Sequence, residues 1–110
     1  MSIETVVDEC IAKSKAYGDA LARSDSKSAN RAMAALDKLF AELKGFGAEG
    51  EAALLRLSSS EQERAVRYWS AIHLRNAGHA VGKEILEQIA ATEDVLGFTA
   101  RSSLKYGPGA

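Results

Sequence analysis

His73 and His79 are the two histidines of the chain, and imidazole is a common metal ligand and proton carrier. Two metal ligands on one helix need to be three or four residues apart, so that both rings leave the same face one turn apart. These two are six apart with Gly78 between them, and no acidic cluster accompanies either. His73 falls among apolar helical positions, where a core histidine belongs. No metal site is expected.

The other reactive residue types read as structural. Ser58, Ser59 and Ser60 form a run that could hold a nucleophile or a modification site. Ser60 and Glu63, however, have the spacing of a capping box, in which each side chain satisfies the free N–H at the other's position. "GFGAEG", residues 45–50, lacks the Lys-Ser/Thr of a phosphate-cradling loop and follows no strand. The pairs Glu49 and Glu51, and Glu61 and Glu63, sit at helix starts, where negative charge complements the helix dipole. Cys10 is the lone cysteine. It cannot form an internal disulfide, and on an apolar helical face it acts as a small hydrophobe. No nucleophile, base and orienting group come together. The expectation is a protein without enzymatic activity or cofactor.

One set of side chains remains for binding. Positions 64, 68, 71 and 75 recur at i, i+4, i+7 and i+11 and line one helical face, which with Arg67 carries Arg64, Tyr68 and Arg75. Arginine and tyrosine are enriched at the energetic centres of protein interfaces. Arg64, Arg67, Tyr68 and Arg75 are the candidate partner-binding residues. The competing reading is a solvated helix side.

These residues need helices to carry them. The single proline, Pro108, leaves the interior free of helix breakers, and runs of β-branched residues are absent. The chain is expected to be all-α. A first helix follows Ser2 to about Arg23, with Ile3, Val6, Val7, Cys10, Ile11, Tyr17 and Leu21 on one face. "SDSKSAN" marks a corner. A second helix spans about Ser28 to Lys44 with a stripe of Ala32, Met33, Leu36, Leu39, Phe40 and Leu43, and Gly45 stands where a left-handed residue ends helices. A short third helix covers about Ala48–Leu57.

The fourth helix, about Glu61–Ala77, has apolar or small residues over an arc of about 200°. A helix covering one side of a core needs a stripe only somewhat over 100° wide. This helix should therefore be a central layer packed from two sides. Gly78 ends it. A fifth helix covers about Ala80–Ala91, and a sixth, about Phe98–Lys105, carries Phe98, Arg101 and Leu104. Residues 1–106 form one expected domain, and "YGPGA" stops the fold, leaving 107–110 as a tail.

Val66-Arg67 and Ala100-Arg101 are 34 residues apart, within the range of helical repeat arrays. "LL-x-L … V-R-x-x-x-A-x-x-L" across residues 54–74 resembles a HEAT repeat. A wider resemblance rests on Ala29-Asn30-Arg31, Leu39–Leu43, Gly45–Gly50, Leu54–Leu74, and Gly97-Phe98 with Ala100 and Leu104. In these features the chain resembles a small bacterial family, domain of unknown function 2019. The resemblance implies stacked antiparallel hairpins, about six helices in a right-handed α-α superhelix, and no established activity. It also implies that Arg67 braces a neighbouring unit through a carboxylate.

Net charge is −1 and the isoelectric point near 6.1. No global field draws the chain to nucleic acid or anionic membrane. No apolar run reaches the roughly 20 residues of a membrane span, and the acidic amphipathic N-terminus is unlike a signal peptide. A cytoplasmic protein is expected. The function expected is that of a non-catalytic protein-binding module, with a bacterial toxin as one partner and an immunity role as its concrete form. The rival readings are a nucleic-acid-binding HEAT-like domain and a self-associating structural protein, a homodimer.

Overall fold

Six helices make up the computed structural model, which describes residues 2–106. They are α1 (Ile3–Ala22), α2 (Ser26–Lys44), α3 (Ala48–Leu57), α4 (Arg64–Asn76), α5 (Ala80–Ala90) and α6 (Val95–Tyr106). No strand occurs among the described residues. The tail expected at 107–110 lies outside them.

Short polar residues set most of the boundaries. Ser2 caps α1 by accepting the Thr5 N–H at 3.2 Å. Asp25 caps α2, one carboxylate oxygen accepting the Ser28 N–H at 3.0 Å and the other the Ser28 hydroxyl at 2.7 Å. This cap starts α2 at Ser26, so the corner in "SDSKSAN" is tighter than expected. α1 closes with the Asp25 N–H on the Ala20 carbonyl and the Ser24 N–H on the Leu21 carbonyl. That turn forces Ser24 to a φ of 57°, a left-handed conformation costly for any residue with a Cβ. α4 ends in the same turn with Gly78 at φ 91°, as its sequence position predicts.

Three expected boundaries are corrected. Gly45 is right-handed at φ −63°, and Gly47 is the left-handed glycine at φ 66°. The Ser60–Glu63 capping box does not form. Turns carry the chain from Ser58 to Glu63, α4 begins only at Arg64, and Glu63 is its N-cap with no side-chain hydrogen bond. α6 starts at Val95 instead of Phe98, because the Asp94 carboxylate accepts the Gly97 N–H at 2.9 Å and so caps the helix earlier.

α1 and α2 pack along their lengths as a hairpin. α4 lies at the centre, in contact with α1, α3 and α5. Its buried residues are Ala65, Val66, Tyr68, Trp69, Ser70, Ala71 and Leu74, which at 100° per residue nearly encircle the axis. A helix packed from more than one side was expected. The burial goes further and takes in Tyr68 and Ala71, which the spacing assigns to the polar stripe. Tyr68 is taken up by Ser103 of α6 and the rings of Tyr17 and Trp69, and Ala71 by a close backbone approach. A Cβ on Gly82 of α5 would stand 2.5 Å from the Arg75 nitrogen and 2.6 Å from the Ala71 carbonyl oxygen of α4. With hydrogen there, α5 comes down onto Ala71 and the Arg75 backbone, while the Arg64 side chain stays exposed.

The 34-residue spacing is realised in hydrogen bonds. The Ser58 hydroxyl donates to the Leu55 carbonyl at 2.6 Å, and the Thr92 hydroxyl to the Ile89 carbonyl at 2.7 Å. Arg67 Nε donates to the Ser58 carbonyl at 3.1 Å, and Arg101 Nη1 to the Thr92 and Ala90 carbonyls at 2.9 and 2.7 Å. Each arginine therefore satisfies free carbonyls at the C-terminal end of the helix before its own. Arg67 braces through a carbonyl, not the carboxylate the resemblance implies. In the α1–α2 hairpin the corresponding residue is Met33, which is 38% exposed.

Candidate functional site

All four stripe residues turn their polar atoms toward other parts of the chain. Arg64 makes a two-pronged bond to the Asp94 carboxylate at 2.7 and 2.9 Å, with a further 3.1 Å bond to the Thr92 hydroxyl. The pair ties the start of α4 to the start of α6. The guanidinium and the Gly97 amide hold the Asp94 carboxyl well below the usual carboxylate range, and the same bond raises Arg64. Arg67 adds a 3.3 Å bond to the Gln88 side chain on α5. Tyr68 is 4% exposed, and its hydroxyl lies 2.9 Å from the Ser103 hydroxyl on α6. Arg75 Nη1 donates to the Ser103 carbonyl at 3.0 Å. The stripe expected to meet a partner thus also bonds to α5, α6 and the corner after α3, while Arg64 stays exposed and Arg67 and Arg75 half-buried.

The side of α4 next to the stripe is concave. A groove of about 540 Å³ runs between α2, α4 and α6. Met33 and Asp37 of α2 wall one side, Ser102, Ser103 and Tyr106 of α6 the other, and Trp69, Ile72 and His73 of α4 line it between them. Tyr17 of α1 also reaches it. Of the four stripe residues, Tyr68 and Arg75 touch this groove, and Arg64 and Arg67 do not. Met33 is 38% and Tyr106 66% exposed, which puts two large apolar side chains at the groove in contact with water.

An aromatic cluster stiffens this region. The Trp69 ring meets Tyr17 edge-on at 5.0 Å and Tyr68 edge-on at 5.4 Å, and Tyr17 and Tyr68 lie parallel at 6.3 Å. Such pairs contribute about 0.5–1.5 kcal/mol each beyond their buried area. His73 stacks on Phe40 at 4.2 Å. Burial pushes the Tyr17 hydroxyl up to about 12 and raises Tyr68, so both stay neutral. Burial also lowers His73, with Asp37 opposing it.

The described part of the chain has three buried side-chain polar atoms without a hydrogen-bond partner, and all belong to helices on this side: Ser14 Oγ, Trp69 Nε1 and His73 Nε2. The last two belong to groove-lining residues. A second groove of about 520 Å³ lies between α2, α3 and the end of α4, with Phe40, Leu54 and His73 in its walls. At its edge His79 Nε2 stands 3.1 Å from a Glu51 carboxylate oxygen. Among the described residues no three His, Cys, Asp or Glu side chains are placed to hold a metal ion. Cys10 is fully buried, and burial with Glu9 and Glu42 pushes its thiol up to about 12. It stays a protonated, unreactive thiol.

Sequence reasoning placed Trp69, Ile72 and His73 in the core and missed that they line a groove. The signal was weak: alternating large rings and exposed Met33 share no single helix, and only packing unites them. Neither the cap that Asp94 gives α6 nor its arginine partner was read from the sequence, which placed the helix start at Phe98. No helix among the described residues is long and apolar enough to cross a membrane. Comparison of the chain with protein-family models, with curated proteins and with solved structures finds no match.

Proposed function

We propose that this protein is a non-catalytic, cytoplasmic protein-binding module that receives its partner in the groove between α2, α4 and α6. The carrying observation is the groove itself. It combines aromatic and aliphatic lining from Trp69 and Ile72 with Met33 and Tyr106 partly in solvent, on a frame of packed helices. Concave apolar surfaces with a few polar groups are where rigid folds bind, and exposed apolar side chains beside them supply area for a partner to bury. The proposal moves the docking surface away from Arg64 and Arg67, whose donors serve Asp94, Ser58 and Gln88. That engagement, with a net charge of −1, also favours a protein partner over nucleic acid.

The finer architecture belongs to the same proposal. The matching braces of Arg67 and Arg101 support a HEAT-like array of stacked hairpins. With the residues quoted above, they support membership of the bacterial domain of unknown function 2019 family. An immunity protein that neutralises a toxin is the form in which such a small array would act alone.

Affinity capture from host cells tests the reading. The unaltered chain should co-purify with a distinct protein that survives gel filtration as a complex. Replacing Met33 and Tyr106 together by glutamate should abolish recovery while leaving the helical circular dichroism intact. Elution of the unaltered chain as monomer alone, at near-native concentration, removes the tight-inhibitor form.

A further inference from the structure

His73 and, one turn on, Asn76 form part of the walls of both grooves, and of the two only His73 can take up a proton. Its ring lies against Phe40 of α2 at 4.2 Å and nearly parallel, with Trp69 one turn earlier at 6.4 Å. Its Nε2 is buried and has no hydrogen-bond partner. In the neutral state this arrangement is tolerable, because a neutral imidazole has one N–H and can leave its other nitrogen bare. An imidazolium cannot do this, since both nitrogens then carry N–H and the charge needs acceptors. Phe40 offers it only the face of a ring. That face attracts a cation but supplies no acceptor for Nε2–H, and a buried ion lacking one is unstable.

The charged and titratable groups around the two grooves define where the ring would go. Asp37 and Lys44 come from α2, Glu51 from α3, Tyr68 and Arg75 from α4, His79 from the following corner, and Tyr17 and Tyr106 from α1 and α6. Asp37 and Glu51 are exposed carboxylates, one on each groove. Glu51 already faces His79 at 3.1 Å, so Asp37 is the counter-charge for a protonated ring that exchanges Phe40 for water.

We propose that His73 is an acid-sensitive partition between the two grooves: on taking a proton its ring leaves Phe40, joining the grooves and uncovering Trp69. The step moves one proton from solvent to the ring and breaks no covalent bond. It rests on the packing around His73 and holds whether or not a partner uses the groove. The sign follows from the burial. The unfolded chain takes up the proton near the ordinary histidine value of about 6.5, and the packed ring takes it up at lower pH. The closed form is thus fully favoured above about pH 6.5 and weakens as pH falls below it.

Trp69 is the only tryptophan, so its fluorescence reads the opening directly. Acrylamide quenching of the full chain, titrated from pH 8 to pH 5, should show the quenching constant roughly doubling or more as local opening sets in. Its midpoint should lie below 6.5 while the far-ultraviolet circular dichroism stays helical. The ring-proton shift of His73 in NMR should have the same midpoint. His73→Phe, which keeps the stack and cannot be protonated, should hold the neutral-pH quenching constant throughout. Asp37→Asn should move the midpoint lower. The proposal is overturned if Trp69 stays covered until helicity is lost, if His73→Phe shows the same rise, or if the NMR midpoint and the quenching midpoint differ. The NMR comparison uses the unaltered chain, so it decides even where a variant fails to fold.

Discussion

The two sides of α4 are built from opposite chemistries. Toward α5 and α6 it carries Arg64, Arg67, Tyr68 and Arg75, and each has a polar atom bonded within the chain. Toward α1 and α2 it carries Trp69 and His73, each with a buried nitrogen that has no partner. The charged side is tied to other segments and the aromatic side is concave, with Tyr68 and Arg75 on the border between them. Charge on a helix marks solvent only when no neighbour brings acceptors. Here Asp94, Thr92, Gln88 and the Ser58 and Ser103 carbonyls all arrive from other segments.

If the aromatic side holds the fold while the charged side trims it, the substitutions should rank accordingly. Trp69→Ala, at a residue 6% exposed in contact with two tyrosine rings, should cost about 3–5 kcal/mol. Urea unfolding measures it, and a loss near 1 kcal/mol would dissolve the contrast. Gly82→Ala should cost about 1–3 kcal/mol, because its Cβ meets α4 backbone that cannot step aside. Thermal unfolding should show this loss, and retention of the parent midpoint would mean that α5 does not lie so close.

On the charged side the effects are smaller. Tyr68→Phe should cost about 1 kcal/mol by leaving the Ser103 hydroxyl unpaired. The Arg64–Asp94 pair should be visible mainly in acid. The Asp94 carboxyl is held below its unfolded value of about 3.9. Its contribution is present above about pH 4 and disappears as pH falls below it. Asp94→Asn should flatten that acid limb of a melting-temperature-against-pH curve, and an unchanged limb would show the pair to be idle.

The helices were legible because their apolar faces repeat at helical spacing, and Val6, Cys10, Leu36, Leu43, Leu57 and Leu86 are buried as that spacing requires. The central position of α4 was legible from its wide apolar arc. Its corners were less so. Ser60 and Glu63 match a capping motif by type and spacing, yet the Ser58 hydroxyl binds back to Leu55 and turns take up the residues before Arg64. A local motif does not show which serine of the run Ser58–Ser60 ends the preceding helix.

The candidate site was the least legible feature. Arg67 and Arg101 could be matched by their spacing, but their acceptors are backbone carbonyls that no residue type announces. The groove is assembled from Met33, Trp69 and Tyr106 on three helices. Gly82 lets α5 close over Ala71, and the role of that glycine shows only once the two helices are side by side.

The central claim is that the arginines brace the fold and the groove meets the partner. The most direct measurement is the amount of bound protein recovered by three forms of the chain: unaltered, Met33→Glu and Arg64→Ala. Recovery lost with Met33→Glu and retained with Arg64→Ala is the predicted result. Recovery lost with Arg64→Ala and retained with Met33→Glu, or none by the unaltered chain, would contradict it.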